Sequence, residues 1–322
     1  MKKVLKITGK ILLGILILIV LIIIIMAVYN QVMFRKNKKL IETPLGQLVE
    51  VDGHNMSIYT EGPGGQNNSG RHTFVFLSGY GTASPILDFK PLYRLLSDEH
   101  KIVVIEKFGY GFSDEIDDDR DMDTILRQDR EALEKAGVEA PYVLCPHSFS
   151  GYEATLWAQK YPDEVEAIIG LDMCTPNCKD ESELSSGDDG VKTIFKLFQH
   201  TGILRIFDPD VSGTLSAEEK QIFKELYCKK SLNDTVLREG DNDLERAAIE
   251  ELDSNPLPTV PMILYMSADN KDDKLWEGGM QAMVDASSDG KLIKLDCGHY
   301  VHDFEYERIS KDMKAFIESL DK

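Results

Sequence analysis

A serine that directly follows a short apolar run is the first residue here whose type and setting could do chemistry. The run Tyr-Val-Leu-Cys-Pro at 142–146 stops abruptly at His147 and Ser148, and a helical pattern then extends to Pro162. A sharp strand-to-helix turn exposes a serine hydroxyl above a sheet edge, and the helix N-terminus favours negative charge nearby. The stretch therefore predicts a nucleophilic Ser148. An ordinary loop with serines near a helix cap is the alternative.

The elements around this serine alternate between strand and helix. Apolar runs at 101–106 and 166–171 indicate buried strands, and an amphipathic pattern at 121–136 indicates a helix between them. Two short strands at 47–51 and 56–60, separated by turn residues, indicate an opening hairpin. This spacing predicts an α/β fold with a doubly wound, mostly parallel sheet.

The N-terminal region predicts one transmembrane helix. Residues 11–28 form an unbroken apolar run of 18 residues, which spans about 27 Å as a helix, close to the hydrocarbon thickness of a bilayer. No small-x-small cleavage site follows it, so an uncleaved anchor is expected. Four basic residues lie on each side, so the positive-inside rule leaves the orientation open. Since short N-terminal tails usually stay in the cytoplasm, we expect a single-pass protein of the cell membrane with an extracellular domain.

The charge of the chain is divided between its two parts. Residues 1–40 hold eight basic and no acidic residues, which leaves 28 basic and 55 acidic residues in 41–322, a formal charge of −27. So acidic a domain repels nucleic acid, and no nucleic-acid partner is expected.

Three stretches resemble the α/β-hydrolase family. Pro-His-Ser-Phe-Ser at 146–150 is similar to its G-x-S-x-G nucleophile elbow, with proline in the place of the first glycine. Ser-Gly-Tyr-Gly at 78–81 resembles its H-G-x-G loop, with serine replacing histidine, and 108–113 resembles its G-x-G-x-S loop. The resemblance covers residues 44–172 and 259–322 and is greatest to serine esterases, lipases and peptidases. A serine at 148 argues against the aspartate-nucleophile dehalogenases and epoxide hydrolases of the same fold.

The resemblance implies specific roles for several residues. Ser148 is the expected nucleophile, and His299, in a Gly-His pair after the last strand, is the expected base. The backbone N–H groups of Tyr80 and Phe149 are expected to form an oxyanion hole. His302 is the rival base, but it falls at the beginning of the terminal helix.

The acid of the expected triad has two candidates. The family usually carries it after the strand that follows the cap, which favours Asp269, although Ser267 stands where a glycine is usual and the residue three positions later is Asn270. Asp172 is the alternative, because its Gly-Leu-Asp run at the end of the sixth strand resembles lipases of the pancreatic type. We expect Asp269, with Asp172 as the alternative acid.

Residues 173–258 break the alternation and are mostly helical by pattern, which resembles the family's helical cap insertion. The expected organisation is a membrane anchor with basic flanks at 1–40 (span 11–28), a hydrolase core at 41–172 and 259–322, and the cap at 173–258.

One stretch of the expected cap has two interpretations. Residues 208–219 carry oxygen-bearing groups at every liganding position of an EF-hand calcium loop. Ser216 and Glu219 also form a capping box that opens a helix. We expect the capping box, no metal and no other cofactor. The five cysteines are irregularly spaced and predict no disulfide framework or metal pattern.

Together these features predict a membrane-anchored serine hydrolase that cleaves an ester or amide through an acyl-enzyme. A carboxylic ester within a small-molecule or lipid-like acyl substrate is the favoured target, and amidase or peptidase activity stays open. The alternative is a catalytically silent hydrolase-fold protein that binds or scaffolds at the membrane, to which Pro146 and Ser78 point.

Overall fold

An eight-stranded sheet extends through the chain from residue 47 to residue 294. The structure is a computed structural model, and it describes residues 2–63, 71–179 and 189–320. Residues 180–188 of the expected cap, like residues 1, 321 and 322, lie outside the described residues. The strands are β1 Gln47–Val51, β2 His54–Glu61, β3 Thr73–Leu77, β4 Lys101–Glu106, β5 Tyr142–Pro146, β6 Val165–Leu171, β7 Met262–Met266 and β8 Gly290–Lys294.

The strands lie in the order β1-β2-β4-β3-β5-β6-β7-β8. The pairs β1–β2 and β2–β4 are antiparallel, and the remaining neighbours are parallel. The helices described are α1 Lys2–Lys36, α2 Lys38–Glu42, α3 Pro85–Asp88, α4 Lys90–Tyr93, α5 Met122–Lys135, α6 Ser150–Lys160, α7 Asp189–Thr201, α8 Ala217–Lys230, α9 Asp234–Glu239, α10 Asn242–Asp253, α11 Lys274–Ala286, α12 Val301–Phe304 and α13 Tyr306–Leu320.

The central strands are buried on both faces. Along β3, Val75 and Leu77 contribute to one apolar core, and Phe74 and Phe76 contribute to the core on the opposite face. This follows from the twofold alternation of side chains along a strand, with helices covering both sides of a parallel sheet. The predicted doubly wound, mostly parallel α/β sheet is confirmed.

The segment between β6 and β7 is helical in its described part, where α7 to α10 lie. It packs on the core through a separate apolar cluster: Ala83 and Leu87 of the core with Leu215, Ile222, Phe223 and Leu226 of the insertion. The helical insertion expected at this point of the chain is present, while its limits at 173 and 258 stay a prediction.

The helix α1 is long and apolar enough from Ile7 to Lys36 to cross a membrane, judged by its length and composition. It continues beyond the apolar run and packs on the insertion. The Nδ2 of Asn30 donates to the carbonyl of Gln199 at 3.2 Å, and its Oδ1 accepts from Nε of Arg205 at 2.6 Å. Asn30 is only 1% exposed. Gly202 allows this approach, because a Cβ there would lie 2.7 Å from the Cβ of Asn30.

A buried ion pair extends this junction between α1 and the insertion. Arg205 donates two hydrogen bonds to Glu225, at 2.9 and 2.7 Å, and lies over the ring of Phe34 at 4.8 Å. Asn37 donates to the same carboxylate at 2.8 Å. No sequence pattern predicted this junction, although Asn30 and Asn37 are polar residues just after an apolar run.

The loop at 208–219 forms the expected capping box. Glu219 accepts from the backbone N–H of Ser216 at 2.9 Å, and the Ser216 hydroxyl accepts from that of Glu219 at 3.3 Å. Burial opposes ionisation of Glu219, but hydrogen bonds from Lys90 and Ser216 outweigh it and lower its pKa to about 2. The Nζ of Lys220 lies 3.0 Å from Oδ2 of Asp210. Lysine ammonium groups therefore contact two carboxylates that a calcium loop would use as ligands.

Candidate active site

Ser148 lies on a strained turn between β5 and α6. Its φ is 52°, in the left-handed region that residues other than glycine rarely adopt. Both neighbouring strands hold the turn in place. The backbone N–H of His147 donates to Leu77 at the end of β3 at 3.0 Å, and His147 forms an isolated parallel bridge with Leu171 at the end of β6. The strain is thus maintained by the sheet, as expected of an elbow that presents a side chain.

Two small residues after Ser148 complete the turn. The buried hydroxyl of Ser150 lies 2.7 Å from the carbonyl of Leu77, to which it donates, and accepts from the N–H of His147 at 3.0 Å. A Cβ on Gly151 would lie 2.1 Å from the carbonyl oxygen of Cys174, so this position requires glycine. Ser150, which stands where the resembling family has glycine, therefore ties the elbow to β3 by its own hydroxyl.

The loop after β3 passes directly against the elbow. A Cβ on Gly79 would lie 2.8 Å from the Cβ of Ser148. Tyr80 and Phe149 line one cavity together with Ser148. Among the residues that the structure describes, neither the backbone N–H of Tyr80 nor that of Phe149 donates to an acceptor. Two unused donors beside a serine are what stabilisation of an oxyanion requires.

The ring of His299 is held by Asp172. Its Nδ1 lies 2.6 Å from Oδ2 of Asp172, which is fully buried and, like Ser148, has a positive φ, of 48°. Burial disfavours the charged carboxylate, but hydrogen bonds from His299 and Ser267 outweigh this and lower the pKa of Asp172. Besides His299, three donors contact this carboxylate: the N–H of Ser267 at 3.1 Å, Nδ2 of Asn270 at 3.0 Å and Nε1 of Trp276 at 3.1 Å.

The expected contact between Asp269 and the imidazole ring is wrong. The Oδ2 of Asp269 accepts the backbone N–H of His299 at 2.9 Å, whereas the ring contacts Asp172, the alternative acid. The position three residues after Ser267 carries Asn270, whose amide donates to Asp172. Because β6 lies beside β5, the residue that follows β6 arrives next to the elbow. The sequence contained a signal for this outcome, because an asparagine, Asn270, stands where the family usually has the acid.

The other two histidines near the elbow have different surroundings. The Nε2 of His302 lies 2.8 Å from Oδ2 of Asp88, and both side chains are buried. This rival base therefore contacts Asp88 and is not among the residues that line the cavity. His147 lies with its Nε2 3.3 Å from the carbonyl of His299. Burial, followed by the neighbouring His302 and His299, lowers the pKa of His147 well below its usual value and keeps it neutral.

One group within the described residues has the composition of a metal site. Asp88, His302 and Asp303 bring potential ligand atoms within 4.8 Å of one another. Burial, with Asp88 as the next cause, raises the pKa of Asp303 to about 9, so this carboxyl is neutral near pH 7. Within the group, His302 and Asp88 are hydrogen-bonded to each other.

The cavity above Ser148 has a volume of about 500 Å³. His299, Trp276 and Tyr300 line it from the core. The insertion contributes Lys179, Gly240 and Glu245, and Nζ of Lys179 lies 2.6 Å from Oε1 of Glu245. These insertion residues could not be predicted from the sequence, because no local pattern marks a cavity wall formed between distant segments.

Solved structures share this architecture. A mutant of an epoxide hydrolase from Bacillus megaterium matches with a TM-score of 0.66 and 17% identity, over 84% of this chain and all of that one. A thermophilic esterase from Thermogutta terrifontis matches with a TM-score of 0.62 and 17% identity, over 86% of this chain and all of that one. The chain has the α/β-hydrolase fold. At such identities the likeness establishes the fold alone.

A relative at higher identity comes from Bacillus subtilis (strain 168). Its uncharacterized protein YbdG is 38% identical over 240 residues, which cover 72% of this chain and 72% of YbdG. No family model matches the chain.

Proposed function

We propose that this protein is a membrane-anchored serine hydrolase that cleaves a carboxylic ester. One observation carries the proposal: the cavity that receives the strained Ser148 is also lined by His299, whose ring is held by the buried Asp172. Fold neighbours described as an esterase and an epoxide hydrolase support hydrolysis as the type of reaction. Because the elbow carries a serine, an acyl-enzyme is the proposed intermediate.

In the proposed mechanism, Nε2 of His299 removes the proton from the Ser148 hydroxyl as its oxygen attacks the substrate carbonyl. Asp172 holds the Nδ1–H of the imidazole and stabilises the imidazolium that forms. The backbone N–H groups of Tyr80 and Phe149 stabilise the oxyanion, each contributing on the order of 3 kcal/mol. His299 then protonates the departing alcohol, and a water molecule activated by the same imidazole releases the acyl group.

The lining of the cavity supports a compact acyl substrate. Trp276 and Tyr300 supply apolar surface, while Lys179 and Glu245 supply a polar wall. A small-molecule or lipid-like ester is the proposed substrate, and an amide is the alternative that the same chemistry would accept. A fluorophosphonate distinguishes an active serine from a silent scaffold, because it reacts covalently only with an activated nucleophile.

We expect a fluorophosphonate probe to label the full-length protein in native membranes, and short-chain nitrophenyl esters to be hydrolysed. The activated Ser148 hydroxyl is the physical reason, and gel fluorescence with peptide mass spectrometry measures the site. Prior heat denaturation should abolish the signal and serves as the control. Folded protein that remains unlabelled and inactive would favour the alternative, a hydrolase-fold protein that binds or scaffolds.

The proposed membrane attachment rests on α1 and its junction with the insertion. A cleaved signal peptide is removed from the mature protein and takes no part in its packing. Here the helix that contains the apolar run continues to Lys36, and its residue Asn30 is buried against the insertion, as is Asn37 just after it. The insertion also approaches the apolar run itself, because a Cβ on Gly202 would lie 3.1 Å from the carbonyl oxygen of Met26. These contacts support an uncleaved anchor.

We expect the full-length protein to remain in the membrane fraction after a carbonate wash, and deletion of residues 2–28 to release it. That deletion retains Asn30 and Asn37, so the junction is preserved as far as possible. Protease added to intact cells should degrade the large domain, as the proposed outward orientation requires. Protection in intact cells with digestion after lysis would reverse the orientation, and release of the full-length chain by carbonate would refute the anchor.

A further inference from the structure

We propose that one apolar face of the insertion lies in the bilayer interface beside the anchor helix. This interfacial face consists of Ile194 and Leu197 on α7 and of Ile206, Phe207 and Val211 after it. Each is a large apolar side chain with about half or more of its surface exposed, up to 70% at Ile206. The inference rests on the proposed anchoring by α1, and it is independent of the hydrolase chemistry.

The contact of Gly202 with α1 sets the height of this face relative to the membrane. A Cβ on Gly202 would lie 3.1 Å from the carbonyl oxygen of Met26 and 2.7 Å from the Cβ of Asn30. Met26 belongs to the apolar run at 11–28, and Asn30 lies just beyond its end. The insertion therefore touches the anchor helix at the level where the hydrocarbon region would give way to the headgroups.

The interfacial face is within reach of that level. Leu197 precedes Gly202 by five residues of α7, and Ile206 follows it by four residues of a 3₁₀ turn. At the rise of these helices, both lie within about 8 Å of Gly202 along the chain. The interfacial region on each side of a bilayer is about 5–7 Å thick. The two lengths are comparable, which places Leu197 and Ile206 within the headgroup layer or at its outer edge.

The chemistry of the surroundings favours lipid as the occupant. Exposed apolar side chains beside a polar surface are stabilised when they enter the headgroup and acyl boundary. At the same end of the anchor helix, Arg35 and Lys36 form a basic last turn, in a chain whose remaining part, 41–322, is strongly acidic. Such residues are attracted to anionic headgroups.

Tryptophan quenching by brominated lipid tests the proposal on the full-length protein. Phe207→Trp is reconstituted in phosphatidylcholine–phosphatidylglycerol vesicles whose acyl chains carry bromine close to the headgroups. Phe304→Trp is the matched control, since Phe304 is 52% exposed and Phe207 is 54% exposed. The wild type supplies the background of Trp157 and Trp276, and flotation of the vesicles verifies that each variant is membrane-bound.

We expect bromolipid to quench the added emission of Phe207→Trp at least about twofold more than that of Phe304→Trp, as for a side chain buried in the interface. Leu197→Trp, at a second position of the face, should behave like Phe207→Trp. Equal quenching of positions 207 and 304, or none at 207 and 197, in vesicle-bound protein would overturn the proposal. Failure to float would refute the anchor, whereas loss of esterase activity would leave this result unaffected.

Discussion

Replacement of Ser148 by alanine is expected to reduce ester turnover by on the order of 10⁵- to 10⁶-fold and to abolish fluorophosphonate labelling. The change removes the hydroxyl that the elbow presents to the cavity, while His299, Asp172 and the two oxyanion donors remain. Residual turnover would then come from the oxyanion hole and substrate binding alone. The initial rate with a nitrophenyl ester and the extent of labelling measure the effect.

Ser150→Ala is the matched control, because it removes a hydroxyl two residues away. That hydroxyl is buried and bonded to Leu77 and His147, so its loss should destabilise the elbow by about 1–3 kcal/mol. The nucleophile remains, so labelling of folded protein should persist. If Ser148→Ala were labelled as strongly as the wild type, another residue would be the nucleophile and the proposed mechanism would be wrong.

Asp172→Asn is expected to lower turnover by about 10⁴-fold, whereas Asp269→Asn should change it by less than about tenfold. Asp172 contacts Nδ1 of His299 at 2.6 Å, so its amide would no longer hold the tautomer in which Nε2 accepts the serine proton. Asp269 contacts the backbone N–H of His299, at 2.9 Å, and asparagine retains an oxygen that can accept there. Single-turnover acylation rates measure the difference.

The two variants must be compared in folded protein, because the Asp172 carboxylate also accepts from Ser267, Asn270 and Trp276. Circular dichroism and thermal melts establish the folded fraction before rates are compared. A collapse in Asp269→Asn with near-normal turnover in Asp172→Asn would show that the acid comes from the strand after the insertion. Equal small losses would show that neither carboxylate orients the base.

Local patterns in the sequence were sufficient for the architecture of the sheet. Buried parallel strands appear as short Ile- and Val-rich runs, as at Lys101–Glu106, and amphipathic helices show their own period, as at Met122–Lys135. The strand, sharp turn and helix around Ser148 could be recognised for the same reason, since each part is specified by consecutive residues. The apolar run within α1 could also be recognised from the sequence, because length and composition alone decide whether a helix is able to cross a bilayer.

The contact of the histidine ring was decided only by the tertiary structure. Asp172 and Asp269 both follow parallel strands, and nothing in either local sequence states which carboxylate faces His299. The 3₁₀ turn at Ala268–Asn270 directs Asp269 to the backbone of His299 and brings the Asn270 amide to Asp172.

The junction between α1 and the insertion was also decided by tertiary packing. Asn30 and Arg205 are 175 positions apart in the sequence. Their hydrogen bond depends on the close approach of the two segments at Gly202. The sequence by itself determined the strands, the helices, the elbow and the apolar span, because neighbours along the chain specify them. The packing of those elements determines which distant side chains come into contact. It determined that Asp172 contacts the ring of His299 and that α1 packs on the insertion.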